Sequence, residues 1–564
     1  MKIHQIFKSQ TKTIVFAALL ISASSAISAA LGLIRDRLLA GKFGAGPDID
    51  SYFAAFRIPD FIYGLVVVGG LTAAFLPVFS GYFPKDENEK NKEWPAEAVE
   101  VTSNILNCFL LLLLFLCVIL AIFAPLIIQA IAPGFSDSQK ELTVVLTRIM
   151  FLSPLLLCVS NIFSGILQYF NRFLAYALAP IFYNLGIIAG ILFLVPIFGA
   201  KGLAYGVILG ALLHLLIQLP SAIDAGFRYL PVVNFKHYGL RQIFKLMVPR
   251  LIGQATYQIN LSVMTAIAST IAVGSIAIFN FSNNIQYFPV SIIGVSFAIA
   301  AFPNLAKAWS ANDKERFFNN FSSSLRQTIF MVLPISCLLF IFRAQVVRLI
   351  LGTGQFGWGA TRLTAASLGV FSLGILAASL IPLAARAFFA LKNTRTPAII
   401  SVGTIGLNIS LAFLFTFLLK DGGVFEIFVV NLLKLNDVND IGVIGLPMAL
   451  SLSSITQCLL LFYFLLKIIL KGNEQDRASW QGRQKEIIVT LVKAAVSSLI
   501  AAVVSYLALQ LAGSVLNTRT FLGIFAQTTI AASSGVAIYI LFSWLLKARE
   551  LKGAIASVLT NFTK

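Results

Sequence analysis

The stretch "IPDFIYGLVVVGGLTAAFLPVFSGY", Ile58 to Tyr82, is apolar or small at almost every position. A run of this length with no period-two alternation reads as a membrane-spanning helix and not as a barrel strand. Pro59 and Pro77 bracket a Gly-Gly pair and mark places where such a helix kinks. The same plan returns in "FPVSIIGVSFAIAAFPNLAKAW", Phe288 to Trp309. Each copy has a proline and a glycine five residues later (Pro59 and Gly64, Pro289 and Gly294). Each then has an Ala-Ala-Phe triplet followed closely by a second proline, Pro77 or Pro303. A weaker echo joins "NRFLAYALAP" (171–180) to "NTRTPAII" (393–400). The offset, roughly 220–230 residues, corresponds to six helices. An even number of helices per unit predicts parallel repeats, related by an axis along the membrane normal.

The rest of the chain agrees with this reading. Of its 564 residues 58% are hydrophobic and only 12% charged, against about 25% charged in soluble domains. Backbone polar groups in lipid need internal partners, so continuous apolar runs must be helices. The fold class expected is an all-α polytopic membrane protein with about 14 transmembrane helices. The spans are 13–34, 50–80, 102–131, 142–170, 176–198, 202–222, 241–272, 276–306, 324–351, 362–391, 397–419, 441–470, 487–512 and 521–546. They group as a first lobe of six helices (1–222) and a second (223–471). Residues 472–564 supply a cytoplasmic interfacial loop, anchored by Trp480, and two C-terminal helices.

The net charge of +19 does not indicate nucleic acid, because the basic residues flank the apolar runs instead of forming a basic domain. Lys2, Lys8, Lys12, Lys85, Lys90, Lys92, Arg228, Lys236, Arg477 and Arg483 fall on one side. The positive-inside trend makes that side cytoplasmic, with both termini. The five cysteines have no metal-ligand or CxxC spacing, and His214, in an apolar run, reads as a satisfied helix–helix contact. There is no Walker loop, HExxH, GxSxG or cluster of paired acids. The chain therefore reads as a transporter and not an enzyme, with no catalytic residue, metal ligand or cofactor site expected.

Charges inside the spans need another explanation. A charge at the centre of a membrane helix costs about 2.5–3.5 kcal/mol on insertion scales, so it usually has a partner or a purpose. "LIRDRLLAGKFGAG" (33–46) places Arg35, Asp36 and Arg37 at the outer end of helix 1, on the side where cations are scarce. Arg57 lies in helix 2, Arg250 follows Pro249 in helix 7, and Arg386 lies in helix 10. Near them the polar residues are mostly neutral: Gln254, Gln258 and Asn260, then Asn280, Asn283, Asn284 and Gln286. Arginines and amides with few acids suit an anionic, hydrogen-bonding cargo such as a phosphate or a sugar.

The segment from Ser28 to Tyr82, "SAALGLIRDRLLAGKFGAGPDIDSYFAAFRIPDF…GLTAAFLPVFSGY", resembles the MurJ/MviN family of lipid II flippases. That family belongs to the multidrug/oligosaccharidyl-lipid/polysaccharide exporter superfamily. Further resemblance lies in "APGF" (132–135), "QYFNRFLAYALAP" (168–180), "FPVSIIGVSFAIAAFPNLAK" (288–307) and "RAFFALKNTRTP" (386–397). The resemblance implies two lobes, a central cationic cavity, and a groove on the last two helices for a long isoprenoid tail. The implied activity is moving the undecaprenyl-diphosphate-linked peptidoglycan precursor, lipid II, from the inner to the outer leaflet of the bacterial plasma membrane by alternating access. The implied partners are lipid II or a related polyprenyl-diphosphate-linked glycan, membrane lipids and peptidoglycan-synthesis proteins.

Arg35 and Asp36 match the family's Arg-Asp pair, Asp50 its acid after the glycine turn, and Arg57 its basic position before the helix 2 proline. Elsewhere the chain departs from the pattern. Ala29, Tyr63 and Gly64 stand where arginines are usual, Val68 stands where an acid is, and Asn283, Asn284 and Tyr287 replace the charges of helix 8. One reading is a rewired cavity in which Arg and acid partners are lost together, which avoids stranding a buried charge. In it Arg250 compensates, and Tyr63, Asn284, Gln286 and Arg386 join Arg35, Asp36, Asp50 and Arg57 in holding the cargo. The other reading is drift to another lipid-linked oligosaccharide, or to a non-transporting scaffold for envelope synthesis.

Overall fold

A computed structural model describes residues 14–83, 94–420, 422–469 and 474–551. Among these the chain is helical throughout its ordered elements. The long helices are α1 (Ile14–Phe43), α2 (Pro47–Ser80), α3 (Ala96–Ile122), α4 (Asp137–Tyr169), α5 (Phe173–Phe198), α6 (Lys201–Asp224) and α7 (Tyr238–Ser269). They continue with α8 (Ser275–Ser310), α9 (Lys314–Ile341), α10 (Trp358–Ala390), α11 (Arg395–Leu418), α12 (Ile441–Ile469), α13 (Glu474–Val515) and α14 (Phe521–Leu545). Twelve helices among the described residues are long and apolar enough to cross a membrane. The other two of the fourteen expected, α1 and α7, form continuous helices of 30 and 32 residues but are not among those twelve.

Several boundaries differ from the sequence expectation for local reasons. Helix α1 does not stop near residue 34. Nothing breaks it before Gly44, whose φ of 63° and N–H bond to the Ala40 carbonyl (2.8 Å) close the last turn. "LIRDRLLAGKF" therefore forms the last three turns of the helix, and Arg35 lies two turns before its end. Pro47 starts α2 from its first turn. The two copies of the repeat share a feature that no residue pattern announces. After Pro59 the helix widens into a π-helical segment, Tyr63–Leu71, and after Pro289 into another, Val290–Val295. The chain linking α11 to α12 also forms a ten-residue helix, Val424–Leu433.

Residues 474–486 are not a loop. They are the first turns of α13, a 42-residue helix about 63 Å long at 1.5 Å per residue. Trp480 is buried against Phe318 and Phe321, with ring centroids 5.6 and 6.2 Å away, so it packs in a core and does not sit at a lipid interface. The other loop expected to be cytoplasmic, 84–97, lies mostly outside the described residues.

The chain forms two compact units, Met1–Ala277 and Ile278–Lys564. The sequence repeat divides the lobes at 222/223, whereas packing places α7 in the first unit. A Cβ on Gly69 would fall 2.8 Å from Gln254, and Cβ atoms on Gly64 and Gly70 would meet Gln258 and Met247. Small residues thus let α7 lie directly on the π segment of α2. The core of this unit gathers Phe75, Phe79 and Phe109, with Trp94 donating to the Ala225 carbonyl at 2.6 Å. As expected, His214 is a satisfied contact: its Nδ1 lies 2.7 Å from Ser160 Oγ, which also accepts from Gln218. In the second unit Phe317, Phe318, Phe321 and Phe388 form the core. Ion pairs tie the ends of α9, α13 and the residues after α14: Arg326–Glu486 (3.0 Å), Arg549–Glu486 (3.3 Å) and Arg483–Glu315 (3.2 Å).

Candidate functional site

Arg35 is held two turns before the end of α1. Its Nε and Nη2 donate to Asp36 Oδ1 at 3.1 and 2.9 Å, and Nη1 donates to Asn184 Oδ1 of α5 at 3.4 Å. Asn184 in turn donates to the Ser28 hydroxyl and to the carbonyls of Ser28 and Pro180. One amide therefore orients the arginine and ties α1 to α5. The Asp36 side chain is 3% exposed and that of Arg35 22%. A guanidinium has five N–H donors. Three are engaged among the described residues, leaving two for an anion. Those two N–H groups can donate to the oxygens of a phosphate.

Arg57, buried in α2, donates from Nε to Thr265 Oγ1 of α7 at 2.7 Å. Asp60, one turn on, stands within electrostatic range of both Arg57 and Arg35, and its carbonyl accepts from Gln258 at 3.2 Å. Tyr63 accepts a hydrogen bond from Asn161 of α4 at 3.3 Å. The group in the first unit thus contains Arg35 and Arg57 with Asp36 and Asp60, two cations against two acids. The family resemblance implies an excess of cations, and among the described side chains this group is balanced. The side chain of Arg250 lies outside the described residues.

A Cβ on residue 64 would meet the amide end of the Gln258 side chain, so a larger residue there requires that flexible side chain to move aside. Tyr63 puts a neutral group, tied to Asn161, where an arginine is usual.

Asp50 does something different. Its two carboxylate oxygens accept from the backbone N–H groups of Gly274 (2.6 Å) and Ala277 (2.8 Å). This caps the first turn of α8, where N–H groups lack partners within the helix. Asp50 also lines a pocket of about 300 Å³ with Gly134, Gln139 and Ser269.

The remaining expected residues lie in the second unit. Gln286 donates to Asn283 at 3.0 Å, Asn284 is half-buried, and Arg386 of α10 donates to the Val295 carbonyl at the end of the α8 π segment (3.4 Å). Asp60, Asn161, Asn184 and Thr265 are the residues that sequence reasoning missed. Asn161 and Asn184 did carry a signal, each being a lone amide in an apolar run. Thr265 carried none, since a threonine in a helix is satisfied by its own backbone.

A family model described as "Lipid II flippase MurJ" matches residues 39–527. The "Probable lipid II flippase MurJ" of Buchnera aphidicola (subsp. Acyrthosiphon pisum) is 32% identical over 392 residues, covering 69% of this chain and 75% of that one. The chain belongs to the MurJ family. The lipid II flippase MurJ of Burkholderia cenocepacia is 28% identical, covering 69% of this chain and 76% of its own length. Among solved structures, a MurJ in an inward closed conformation superposes with a TM-score of 0.72 at 24% identity, covering 93% of this chain and 98% of that one. An inward-facing multidrug resistance transporter of the MATE family, from the wider MOP superfamily, gives 0.60 at 14% identity, covering 83% and 99%. The fold is therefore that of MurJ and is shared with MOP-superfamily transporters. The chain is a multi-pass membrane protein of a transporter family.

Proposed function

We propose that this chain moves lipid II, the undecaprenyl-diphosphate-linked peptidoglycan precursor, from the inner to the outer leaflet of the bacterial plasma membrane by alternating access. The observation that carries this reading is the match of residues 39–527 to the lipid II flippase family. The geometry around Arg35 supports it. An arginine pre-oriented by Asp36 and Asn184, with two N–H groups left over, is a ready donor to the oxygens of a diphosphate. Its ion pair with Asp36 and its bond to Asn184 offset the cost of burying the charge there.

In this reading residues 1–222 and 223–471 act as the two lobes, and the last two helices carry the isoprenoid tail. Both termini face the cytoplasm. Arg35 and Arg57 hold the diphosphate, while Tyr63, Asn284 and Gln286 offer hydrogen bonds to sugar. Arg250 supplies a further cation and Arg386 positions the α8 π segment. Asp36 holds Arg35 in place and Asp50 holds the start of α8, so both act on the cargo indirectly. Peptidoglycan-synthesis proteins supply the cargo and consume it.

The test is rescue of a bacterium depleted of its own lipid II flippase. Expression of this chain should restore growth, and Arg35→Ala at equal membrane abundance should abolish it. Failure of the parent chain to rescue while it restores export of a different lipid-linked glycan would assign it that other cargo instead.

A further inference from the structure

Helix α11 ends at Leu418, and after Gly422 (φ 66°) and Gly423 the chain forms the short helix Val424–Leu433. This helix does not project away from the bundle. The ring of Phe425 stacks on that of Phe415, with centroids 6.2 Å apart and planes at 14°. Phe415 lies one turn inside α11, so the short helix lies beside the last turn of a membrane span. Phe425 and the buried Val429 face inward. The exposed side carries Val424, Ile427, Phe428 and Leu432, which are 86, 55, 59 and 64% exposed, with the neutral Asn431 among them. Their spacing is i, i+3, i+4 and i+8, one face of a helix.

No charge interrupts that row. The acid of the helix, Glu426, is occupied by the Gly422 N–H. Phe413 and Phe417 of α11, also exposed, add to the apolar surface at the same level. Exposed lysines stand beyond the two ends of the helix: Lys420 before it and Lys434, in a left-handed cap conformation, after it. Ten residues make a helix about 15 Å long, half the thickness of the hydrocarbon core, so it cannot cross the membrane. The row also lacks the Trp, Tyr and Arg anchors that dominate protein–protein contacts.

We propose that Val424–Leu433 is a membrane-surface anchor. It lies in the interfacial layer of the leaflet next to the α11–α12 connection, with Val424, Ile427, Phe428 and Leu432 among the acyl chains and Lys420 and Lys434 on lipid phosphates. The apolar face supplies depth and the lysines supply preference for anionic lipid. The anchor fixes the level of the α11–α12 hairpin in the bilayer and does not depend on which cargo the chain carries.

The test uses the full chain in vesicles of phosphatidylcholine with or without phosphatidylglycerol. Phe428→Cys and Lys434→Cys are each labelled with an environment-sensitive fluorophore. Four of the native cysteines are buried, and the labelled parent chain supplies the background from all five. At position 428, lipid carrying a shallow spin label should quench at least threefold more strongly than aqueous iodide. At position 434 the order should reverse. Iodide quenching at 428 would place the face in water. Shielding of 428 from both quenchers would mean that protein covers it, a second copy or a partner. Either result overturns the anchor. For the lysines, Lys420→Gln with Lys434→Gln should abolish any deepening of lipid quenching at 428 caused by phosphatidylglycerol. An unchanged response to phosphatidylglycerol in that variant, or no response in the parent, would remove the lysines from the proposal.

Discussion

Removing Arg35 has two consequences that a single substitution confuses, and the structure shows how to separate them. Arg35→Ala deletes a cargo contact, and it also removes the ion-pair partner 2.9 Å from the Asp36 carboxylate, which is only 3% exposed. Breaking a buried ion pair from one side costs about 3–5 kcal/mol, most of it the price of the uncompensated charge. Arg35 is itself only 22% exposed, so water screens the pair little. Adding Asp36→Asn to Arg35→Ala replaces the carboxylate that has lost this ion pair with a neutral amide. What remains is mainly the lost hydrogen bond to Asn184 Oδ1, about 0.5–1.5 kcal/mol. The double variant should therefore regain roughly 2–3 kcal/mol over Arg35→Ala alone, a clear departure from additivity. Thermal denaturation of the purified protein, with membrane abundance as a second readout, measures that recovery. Growth rescue in a flippase-depleted strain should not recover with it, because the guanidinium for the diphosphate is still missing. If the double variant rescues growth as well as the parent chain, Arg35 serves only as the partner of Asp36 and the cargo assignment fails.

Three further outcomes follow from particular contacts. Asp50→Ala should expose the N–H groups of Gly274 and Ala277, at about 1–3 kcal/mol for each buried group left unpaired. Hydrogen exchange should speed up at the start of α8, and lost rescue with unchanged exchange would make Asp50 a cargo residue and not a cap. Gly69→Val, whose Cβ would fall 2.8 Å from Gln254 Cγ and 3.1 Å from the Gly64 carbonyl, should destabilise the chain by about 1–3 kcal/mol through overpacking. A thermal shift near zero for this variant would show that α7 does not pack there. Trp480→Ala should cost about 3–5 kcal/mol, as for a large core aromatic, and a thermal shift near zero would return Trp480 to the membrane interface.

The helical order of the chain was legible because lipid imposes a simple rule. Each span must be a long apolar run, and the residues that interrupt these runs are turn formers and charges. For the same reason the runs carried little information about length beyond the membrane. Helix α1 continues to Phe43 and α13 begins at Glu474, because polar residues outside the hydrocarbon layer can remain helical as easily as they can form a loop. The short helix Val424–Leu433 was hidden for a related reason: a ten-residue, mostly apolar segment is too short to register as a span.

Side-chain chemistry was legible only in part. Arg35, Asp36, Asp50 and Arg57 stood out because each is a charge in an apolar setting, and each is indeed partnered. What each charge does could not be read from its type. Asp36 and Asp50 are both buried acids, yet one orients an arginine and the other caps a helix, since the partner is 1 residue away in the first case and 224 in the second. Asn184 is 149 residues from Arg35, and Thr265 is 208 from Arg57. No spacing rule reaches that far.

By itself the sequence determined the membrane environment, the succession of helices, the internal repeat and the family, because all of these rest on local composition and on motif order. Tertiary structure decided which groups balance each other. A hydrogen bond needs two atoms about 3 Å apart, and a buried charge is stable only beside its partner. Those conditions concern distances in space between α1 and α5 and between α2 and α7. The glycines at 64, 69 and 70 show the same division. In sequence they are part of an apolar run, and in the fold they are the surface on which α7 lies.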